Sequence, residues 1–354
     1  MLLYVPESET KNRPDLVMFQ SLIQPIFPCA RVLDYKPLHD SVYPLYLLKL
    51  SNGLELTLKA GARQLATLLR QERHSLETEA AVLSILASRH SPCIPRLFRF
   101  DVLDFSPRTP FLLKQSMGGV PLSDVELSSI TSAHRNRIDE QLGRTVKFLG
   151  QFISTQFGSV YCVAQGEGRQ SWKHTFLSFI EAILCDAEDM FISLPYAEIR
   201  HQVLRLAPAL DDVTEARLVV VDIGDRSNIL VDRDTKSVMG FADFSNAVWG
   251  DVLMAEIFED PSPALLKGYG SNQMQMEDES LRTRLVLFVT LHTQFSAVLL
   301  IGLVTDSGDS FRYSCLRHIR RIVKQYYRSR QDDEEMRARR GLTMIVSEMA
   351  ALDC

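Results

Sequence analysis

A dense cluster of carboxylates and one carboxamide constrains the fold of this chain more than any other feature. The cluster runs through Asp222, Asp225 and Asn228, and a further carboxylate follows at Asp243. Polar turns join three short apolar runs around it, and these runs predict a small sheet: residues 218–221, 229–231 and 238–241. Because adjacent strands lie about 4.8 Å apart, strand ends can bring such side chains together. Hard oxygen donors of this kind suit Mg²⁺, which keeps waters and substrate phosphates as its other ligands.

The residues around this cluster have helical periodicity. From about residue 122 onward, apolar residues recur at helical spacing, as in Leu142, Val146 and Leu149 and again around Trp172 and Phe176. The predicted small sheet therefore lies inside a mainly helical half of the chain.

The first third of the chain predicts strands and one helix. Asn52-Gly53 separates two apolar runs, and this dipeptide is a strong hairpin signal because both residues tolerate positive φ. In the second run, residues 54–59, leucines alternate with polar residues, which places Lys59 at the end of a half-buried strand on its polar face. Residues 72–88 follow with helical spacing, and two prolines end that helix.

The glycine pair Gly118-Gly119 marks a boundary between these two parts. We predict an α+β fold with a small antiparallel-sheet lobe at residues 1–117 and a larger, mainly helical lobe at residues 118–354 that carries the catalytic and metal-binding hairpin.

Several segments resemble those of a known family in the right order. DIGDRSNILVD and GFADFSNAVWGD resemble the catalytic and metal-binding segments of the aminoglycoside phosphotransferases, the kinase-like group that includes choline and homoserine kinases. LTLKAG is similar to the family's nucleotide-binding lysine strand, ERHSLETEAAVLSIL to its first-lobe helix and FLLKQSMGGVPL to its hinge. The resemblance implies a bilobal protein-kinase-like fold.

The resemblance also implies residue roles on both sides of the predicted boundary. Lys59 would hold nucleotide phosphates, and Glu79 would orient it, although Glu72 and Glu77 compete for that role. A Mg²⁺ ion and ATP or GTP are the implied cofactors, since phosphoryl transfer needs positioned charges more than covalent chemistry.

In the helical lobe, Asn228 and Asp243 would bind Mg²⁺, and Asp222 would accept the proton of the acceptor hydroxyl. The family places this aspartate five residues before the asparagine, whereas Asp222 stands six before Asn228 and Asp225 three before it. Both aspartates are therefore candidate catalytic residues, and Asp225 is alternatively a turn former. If Asp222 is the base, the extra residue must bulge outward.

We therefore predict a nucleotide- and Mg²⁺-dependent phosphotransferase that acts on a hydroxyl group of a small molecule. The alternatives are a catalytically impaired, pseudokinase-like binding protein and a kinase-like fold repurposed in specialised metabolism. Between Lys36 and Lys59 the only glycine is Gly53, so no glycine-rich loop brings backbone N–H groups to phosphates. Acidic residues suggest a negative rim that would steer a cationic acceptor: residues 186, 188, 189, 251, 256, 259 and 260.

Charge and hydropathy argue against nucleic acid and membrane partners. The chain has 39 Lys and Arg against 44 Asp and Glu, a formal net charge of -5, so it lacks the basic field that gathers nucleic acid. The apolar residues 285–304 match a membrane span in length, but polar residues at their centre favour a buried helix. The first residues lack the basic region of a signal peptide, and we expect a cytoplasmic protein without membrane partners.

Overall fold

The computed structural model describes residues 16–38, 43–62, 68–103, 109–258 and 261–270. The chain divides into two compact units, one formed by Met1–Arg63 with Pro95–Ser116 and the other by Gln64–Ile94 with Met117–Cys354. The apolar segment 285–304 and the acidic residues 259 and 260 lie outside the described residues.

The first unit contains a five-stranded antiparallel sheet with the strand order β1-β2-β3-β5-β4. Its elements, numbered along the whole chain, are α1 (Leu16–Ile23), β1 (Val32–Leu38), β2 (Leu45–Leu50), β3 (Glu55–Ala60), β4 (Leu97–Leu103) and β5 (Thr109–Gln115). The turn between β2 and β3 is the expected one: Gly53 has a φ of 82°, and the Asn52 side chain accepts a hydrogen bond from the Leu54 N–H at 3.2 Å.

One face of this sheet forms an apolar core with α1. Phe19 and Ile23 from the helix lie in the same buried cluster as Leu48, Leu56 and Leu58 from the strands. Each fully buried side chain of this size contributes roughly 1.5–3 kcal/mol, so the leucine alternation fixes which face of β3 points inward.

The second unit is mainly helical. Its elements are α2 (Ser75–Leu86), β6 (Val120–Pro121), α3 (Ser132–Leu149), β7 (Ile153–Ser154), β8 (Gly158–Ser159), α4 (Val160–Ala164), α5 (Trp172–Asp189), α6 (Tyr196–Leu206), β9 (Ala216–Val220), β10 (Ile229–Val231), β11 (Val238–Phe241), β12 (Ala247–Gly250) and α7 (Pro263–Tyr269). With the antiparallel sheet of the first unit, this confirms the predicted α+β class. In the described part of the chain, every helix is too short or too polar to cross a membrane.

The strands of the second unit form two small sheets, where the sequence predicted one. β10 pairs with β11 and β6, whereas β9 pairs with β7 and β12, and β12 also pairs with β8. The chain makes successive turns between Val220 and Ile229, and this change of direction separates β9 from the hairpin. The catalytic candidates lie on those turns.

Helix α2 belongs to the second unit. At its start the His74 ring stacks on the Tyr161 ring of α4, with 4.2 Å between the centroids and 14° between the planes. Inside the same unit Trp172 is fully buried against Gly250, where any side chain would collide with the indole. This contact explains the glycine in the Trp249-Gly250-Asp251 segment.

Candidate active site

The Asn228 carboxamide holds two distant segments together. Its side-chain nitrogen donates hydrogen bonds to the carbonyl oxygens of Asp243, at 2.9 Å, and Asp222, at 3.4 Å. Its side-chain oxygen accepts a hydrogen bond from the Asp243 N–H at 2.6 Å. Asn228 is only 5% exposed, so these bonds satisfy a buried polar group. One side chain thus brings Asp222 and Asp243 to the same end of the hairpin.

Two successive turns take up the six-residue spacing between Asp222 and Asn228. The Asp225 N–H donates to the Asp222 carbonyl at 3.0 Å, and the Asn228 N–H donates to the Asp225 carbonyl at 2.9 Å. Ile223 is fully buried, and a Cβ added at Gly224 would collide with the Ile257 side chain. The start of the loop is therefore packed inward, and Asp222 is half-buried beside it.

Asp225 has the surroundings of a turn former. Its carboxylate is exposed and accepts hydrogen bonds from both the N–H and the hydroxyl of Ser227, each at 2.8 Å. These bonds join residues two positions apart in the sequence, which is the pattern of an Asx turn. Of the two candidate catalytic aspartates, Asp222 is the one whose backbone Asn228 ties to the Asp243 segment.

Two hydrogen bonds of Arg226, the Arg226 tether, fix the loop of residues 222–228 to the segment that follows Gly118-Gly119. The Arg226 guanidinium donates to the Leu122 carbonyl at 2.9 Å, and the Ser123 N–H donates to the Arg226 carbonyl at 3.0 Å. β6 pairs with β10 in the same region. The sequence alone does not reveal this role of Arg226, because the partners are more than a hundred residues apart and no local spacing signals the contact.

The residues present fit a magnesium site. Asp243 is half-buried, and its carboxylate accepts a hydrogen bond from the Ser245 N–H at 2.8 Å. Carboxylate and amide oxygens have more than one lone pair, so the bonds to Asp243 and Asn228 leave acceptor capacity. Among the described residues no group of three or more His, Cys, Asp or Glu side chains forms a metal site. Mg²⁺ needs fewer protein ligands than that, because it keeps waters and binds substrate phosphates.

In the first unit, Lys59 is buried. It is 6% exposed, pairs with Leu112 of β5 in the sheet register, and places its Nζ 5.2 Å from the centroid of the Tyr43 ring. Lys59 is therefore not a solvated lysine at a strand end. Burying an ammonium group costs free energy unless other groups compensate its charge. A lysine with no more than a surface role would not be expected at this position.

The three candidate partners of Lys59 differ in burial and contacts. Glu79 on α2 is 0% exposed. Glu77 is half-buried and lies 3.9 Å from the His74 imidazole, whereas the Glu72 carboxylate accepts a hydrogen bond from the Leu69 N–H at 3.4 Å. Glu72 and Glu77 thus have local structural partners. An ion pair between Lys59 and Glu79 stays a prediction.

The acidic segment of α5, which is part of the expected negative rim, forms ion pairs with arginines. Arg70 forms ion pairs with Asp186 and Asp189, and Arg200 pairs with Glu188 at 2.9 Å. Asp186 is buried, and burial raises the pKa of its carboxyl against the opposing effect of Arg70. Asp251 is also buried and caps the following helical turn by accepting a hydrogen bond from the Leu253 N–H at 3.1 Å. The buried carboxylates Asp186 and Asp251 therefore have structural partners.

Comparison with solved structures identifies the fold. The chain is similar to a thermostable mutant of the aminoglycoside phosphotransferase APH(4)-Ia in a ternary complex with AMP-PNP and hygromycin B, with a TM-score of 0.58 and 14% identity over 93% of this chain and 97% of the other. It is also similar to APH(2")-IIIa in a complex with GDP and kanamycin, with a TM-score of 0.54 and 14% identity over 95% of this chain and 98% of the other. No protein-family model and no curated protein matches the sequence.

The chain therefore has the protein-kinase-like fold of the aminoglycoside phosphotransferases. The resemblance predicted from the sequence motifs is confirmed at the level of the fold. Since one fold hosts many functions, the activity has to be argued from the site.

Proposed function

We propose that this protein is a nucleotide- and Mg²⁺-dependent phosphotransferase that acts on a hydroxyl group of a small molecule. The observation that supports it is the buried Asn228 carboxamide, which bonds to the backbone of both Asp222 and Asp243. A carboxylate base beside two oxygen ligands is the arrangement that phosphoryl transfer to a hydroxyl requires.

Each candidate residue then has one task. Asp222 accepts the proton of the acceptor hydroxyl as the hydroxyl oxygen attacks the terminal phosphorus of the nucleotide. The bond from that phosphorus to the bridging oxygen breaks, and the nucleoside diphosphate leaves. Asn228 and Asp243 hold Mg²⁺, which when bound neutralises negative charge on the phosphates. Lys59 donates to the phosphates, and Glu79 orients Lys59. Asp225 keeps the turn in shape and takes no proton.

The proposal also names a chemical class for the acceptor. Two proteins of the same fold were solved with hygromycin B and with kanamycin, beside AMP-PNP or GDP. These complexes support a small hydroxyl-bearing acceptor, and we propose that an amine-bearing, cationic molecule is the first class to test. Because Arg70 and Arg200 already pair with carboxylates at the acidic end of α5, other carboxylates would have to add to the steering charge.

Nucleotide binding is the first experiment. The thermal midpoint of the protein is measured with ATP and with GTP, each with and without Mg²⁺. A ligand at 100 times its dissociation constant stabilises the folded state by about 2.7 kcal/mol, so binding raises the midpoint measurably. We expect a rise with at least one nucleotide that is larger in the presence of Mg²⁺.

Phosphate transfer to a panel of hydroxyl acceptors, with and without amino groups, is measured next. Transfer to any acceptor supports the proposed function. Nucleotide binding without hydrolysis or transfer would favour the pseudokinase-like alternative, and absence of any nucleotide effect on the midpoint would contradict the nucleotide site itself.

A further inference from the structure

The two edges of the five-stranded sheet in the first unit differ in composition. β1 forms one edge and contains Pro37, which has no N–H group to donate to a further strand. β4 forms the other edge and contains no proline. In the described part of the chain, β5 is the only strand that pairs with β4. An edge strand without such a block is a template for pairing with another strand, so β4 is the edge that can extend the sheet.

The hydrogen bonds of β5 show which backbone groups of β4 face outward. Along an antiparallel strand, the backbone groups of alternate residues point to opposite neighbours. The Gln115 N–H donates to the Arg96 carbonyl at 2.8 Å, so the odd-numbered residues of β5 bond toward β4. Arg99 and Asp101 pair with odd-numbered residues of β5 in the register. The N–H and carbonyl groups of Phe100, which lies between them, therefore face the outer edge.

The residues on either side of Phe100 make the strand complementary to itself. β4 has the sequence LFRFDVL, in which Arg99 and Asp101 flank Phe100 and apolar residues lie beyond them. When two copies of β4 pair antiparallel about Phe100, each Arg99 lies directly opposite the Asp101 of the other copy. Opposite charges at such positions stabilise a strand pair, and like charges destabilise it. The charge pattern of β4 therefore fits a second copy of this chain.

Arg99 and Asp101 already interact within the strand. The Arg99 Nε donates to the Asp101 carboxylate at 3.1 Å, and the same carboxylate accepts a hydrogen bond from the Val102 N–H at 2.8 Å. The Arg99 and Asp101 side chains stay partly exposed, at 31% and 47%. Pairing about Phe100 leaves these contacts in place and brings a second opposite charge to each ion. The two copies would then share a cluster of four charges with alternating signs.

The other face of β4 presents apolar side chains at the same place. Phe100 and Val102 lie on the opposite face from Arg99 and Asp101, because side chains alternate along a strand. They are 37% and 44% exposed. A two-fold axis through Phe100 brings these side chains of both copies together and removes apolar surface from water. One pairing therefore satisfies the charges on one face and the apolar residues on the other.

We infer that β4 is a self-association surface, on which two copies of this chain pair antiparallel about Phe100 and join their two sheets into one. The bulge between Leu97 and Arg99 limits regular pairing to the residues next to Phe100. The interface is therefore small, and we expect a dissociation constant on the order of 10 µM. The inference does not depend on the proposed function, because these residues are not part of the candidate site.

The experiment measures dimerisation of the full chain by sedimentation velocity, from about 1 to about 200 µM protein. Arg99→Asp and Asp101→Arg each place like charges opposite each other twice in the dimer. We expect each single variant to weaken the dimer about tenfold or more. The double variant Arg99→Asp/Asp101→Arg restores opposite charges at both positions, and it should dimerise like the wild type.

Lys49→Glu is the matched control. It changes the net charge as much as Arg99→Asp does, and Lys49 is an exposed residue of β2 in the same sheet that pairs with Glu55 at 3.5 Å. We expect this variant to dimerise like the wild type. A similar loss of dimer in Lys49→Glu and Arg99→Asp would show that net charge, and not the pairing of β4, controls association.

Three results would overturn the inference. One is a wild type that stays monomeric at every concentration, another is a dimer of unchanged affinity in both single charge variants, and the third is a double variant that does not recover. Val102→Lys covers the case in which a charge variant does not fold, because it alters an exposed position on the apolar face. It should weaken the dimer about tenfold or more, and wild-type dimerisation of this variant would contradict the proposed pairing.

Discussion

The β10–β11 hairpin has a polar cluster at each end, and the two clusters differ in how far their hydrogen bonds reach. At the turn between the strands, the Asp232 carboxylate accepts from the N–H groups of Asp234, at 3.2 Å, and Thr235, at 2.7 Å. At the other end, the Asn228 carboxamide bonds to Asp243, fifteen residues away, on both its N–H and its carbonyl.

The hydrogen bonds between residues close in sequence stabilise only a turn. Asp225 accepts from Ser227 in the way that Asp232 accepts from Thr235, and both are the ordinary behaviour of aspartate in a turn. The bonds of Asn228 are different, since they are buried and would leave backbone groups unsatisfied if they were lost. Burial and sequence separation of the partners therefore locate the candidate site better than residue type does.

The largest expected effect comes from Asp222→Asn at the long-range end. If Asp222 is the proposed general base, its loss lowers the rate of transfer by about 10²- to 10⁴-fold. Nucleotide binding should stay as in the wild type, because the proposal places Asp222 at the acceptor and not at the nucleotide. The measurement is the rate of phosphate transfer to the best acceptor, together with the nucleotide-dependent rise in thermal midpoint.

Asp225→Asn is the matched control for this prediction. Asn keeps an oxygen that can accept from Ser227, and Asp225 is exposed, so we expect a rate within about twofold of the wild type. Full turnover of Asp222→Asn combined with an inactive Asp225→Asn would show that the base is assigned to the wrong aspartate.

The same contrast of local and long-range contacts explains what could be predicted from the sequence. The Asn52-Gly53 hairpin and the alternation of leucines in β3 are local patterns, and both predicted elements are present. The order of motifs also predicted the kinase-like fold, because short segments of fixed chemistry recur in a fixed sequence along the chain.

Features that depend on register or on distant partners could not be predicted in this way. Lys59 is buried although the alternation within β3 places it on the polar face, and no spacing within β3 reveals this. The separation of β9 from the hairpin and the Arg226 tether depend on contacts across the second unit. The acidic end of α5 looked like a free negative surface because Arg70, its partner, lies more than a hundred residues earlier.

The next effect in size is a loss of stability in Asn228→Asp. This variant keeps the shape but replaces the amide donor with a carboxylate oxygen that faces the carbonyls of Asp222 and Asp243. Disrupting buried hydrogen bonds of this kind costs about 1–3 kcal/mol. For a chain of 354 residues that lowers the thermal midpoint by roughly 1–1.5 °C per kcal/mol, measured without nucleotide or metal.

Ser227→Ala separates this loss from a general sensitivity of the loop. Its hydroxyl donates only to the neighbouring Asp225 carboxylate in the described structure, at 2.8 Å, and Ser227 is exposed. We expect its midpoint to change by much less than that of Asn228→Asp. Equal midpoints for the two variants would mean that the long-range bonds of Asn228 add nothing beyond a local turn.

The smallest effect concerns the turn end, where hydrogen bonds from Thr235 lower the pKa of the half-buried Asp232 below its usual value of 3.8. A carboxyl group with a lowered pKa in the folded state adds stability above the pKa of the unfolded chain, and this stability is lost as the pH falls through the folded value. The midpoint difference between wild type and Asp232→Asn should therefore be constant above about pH 5 and shrink below about pH 3.8. Asp234→Asn, an exposed neighbour in the same turn, is the control and should follow the wild type across this range. A difference between wild type and Asp232→Asn that does not change below pH 3.8 would show that even this local turn is not stabilised by the charge of Asp232.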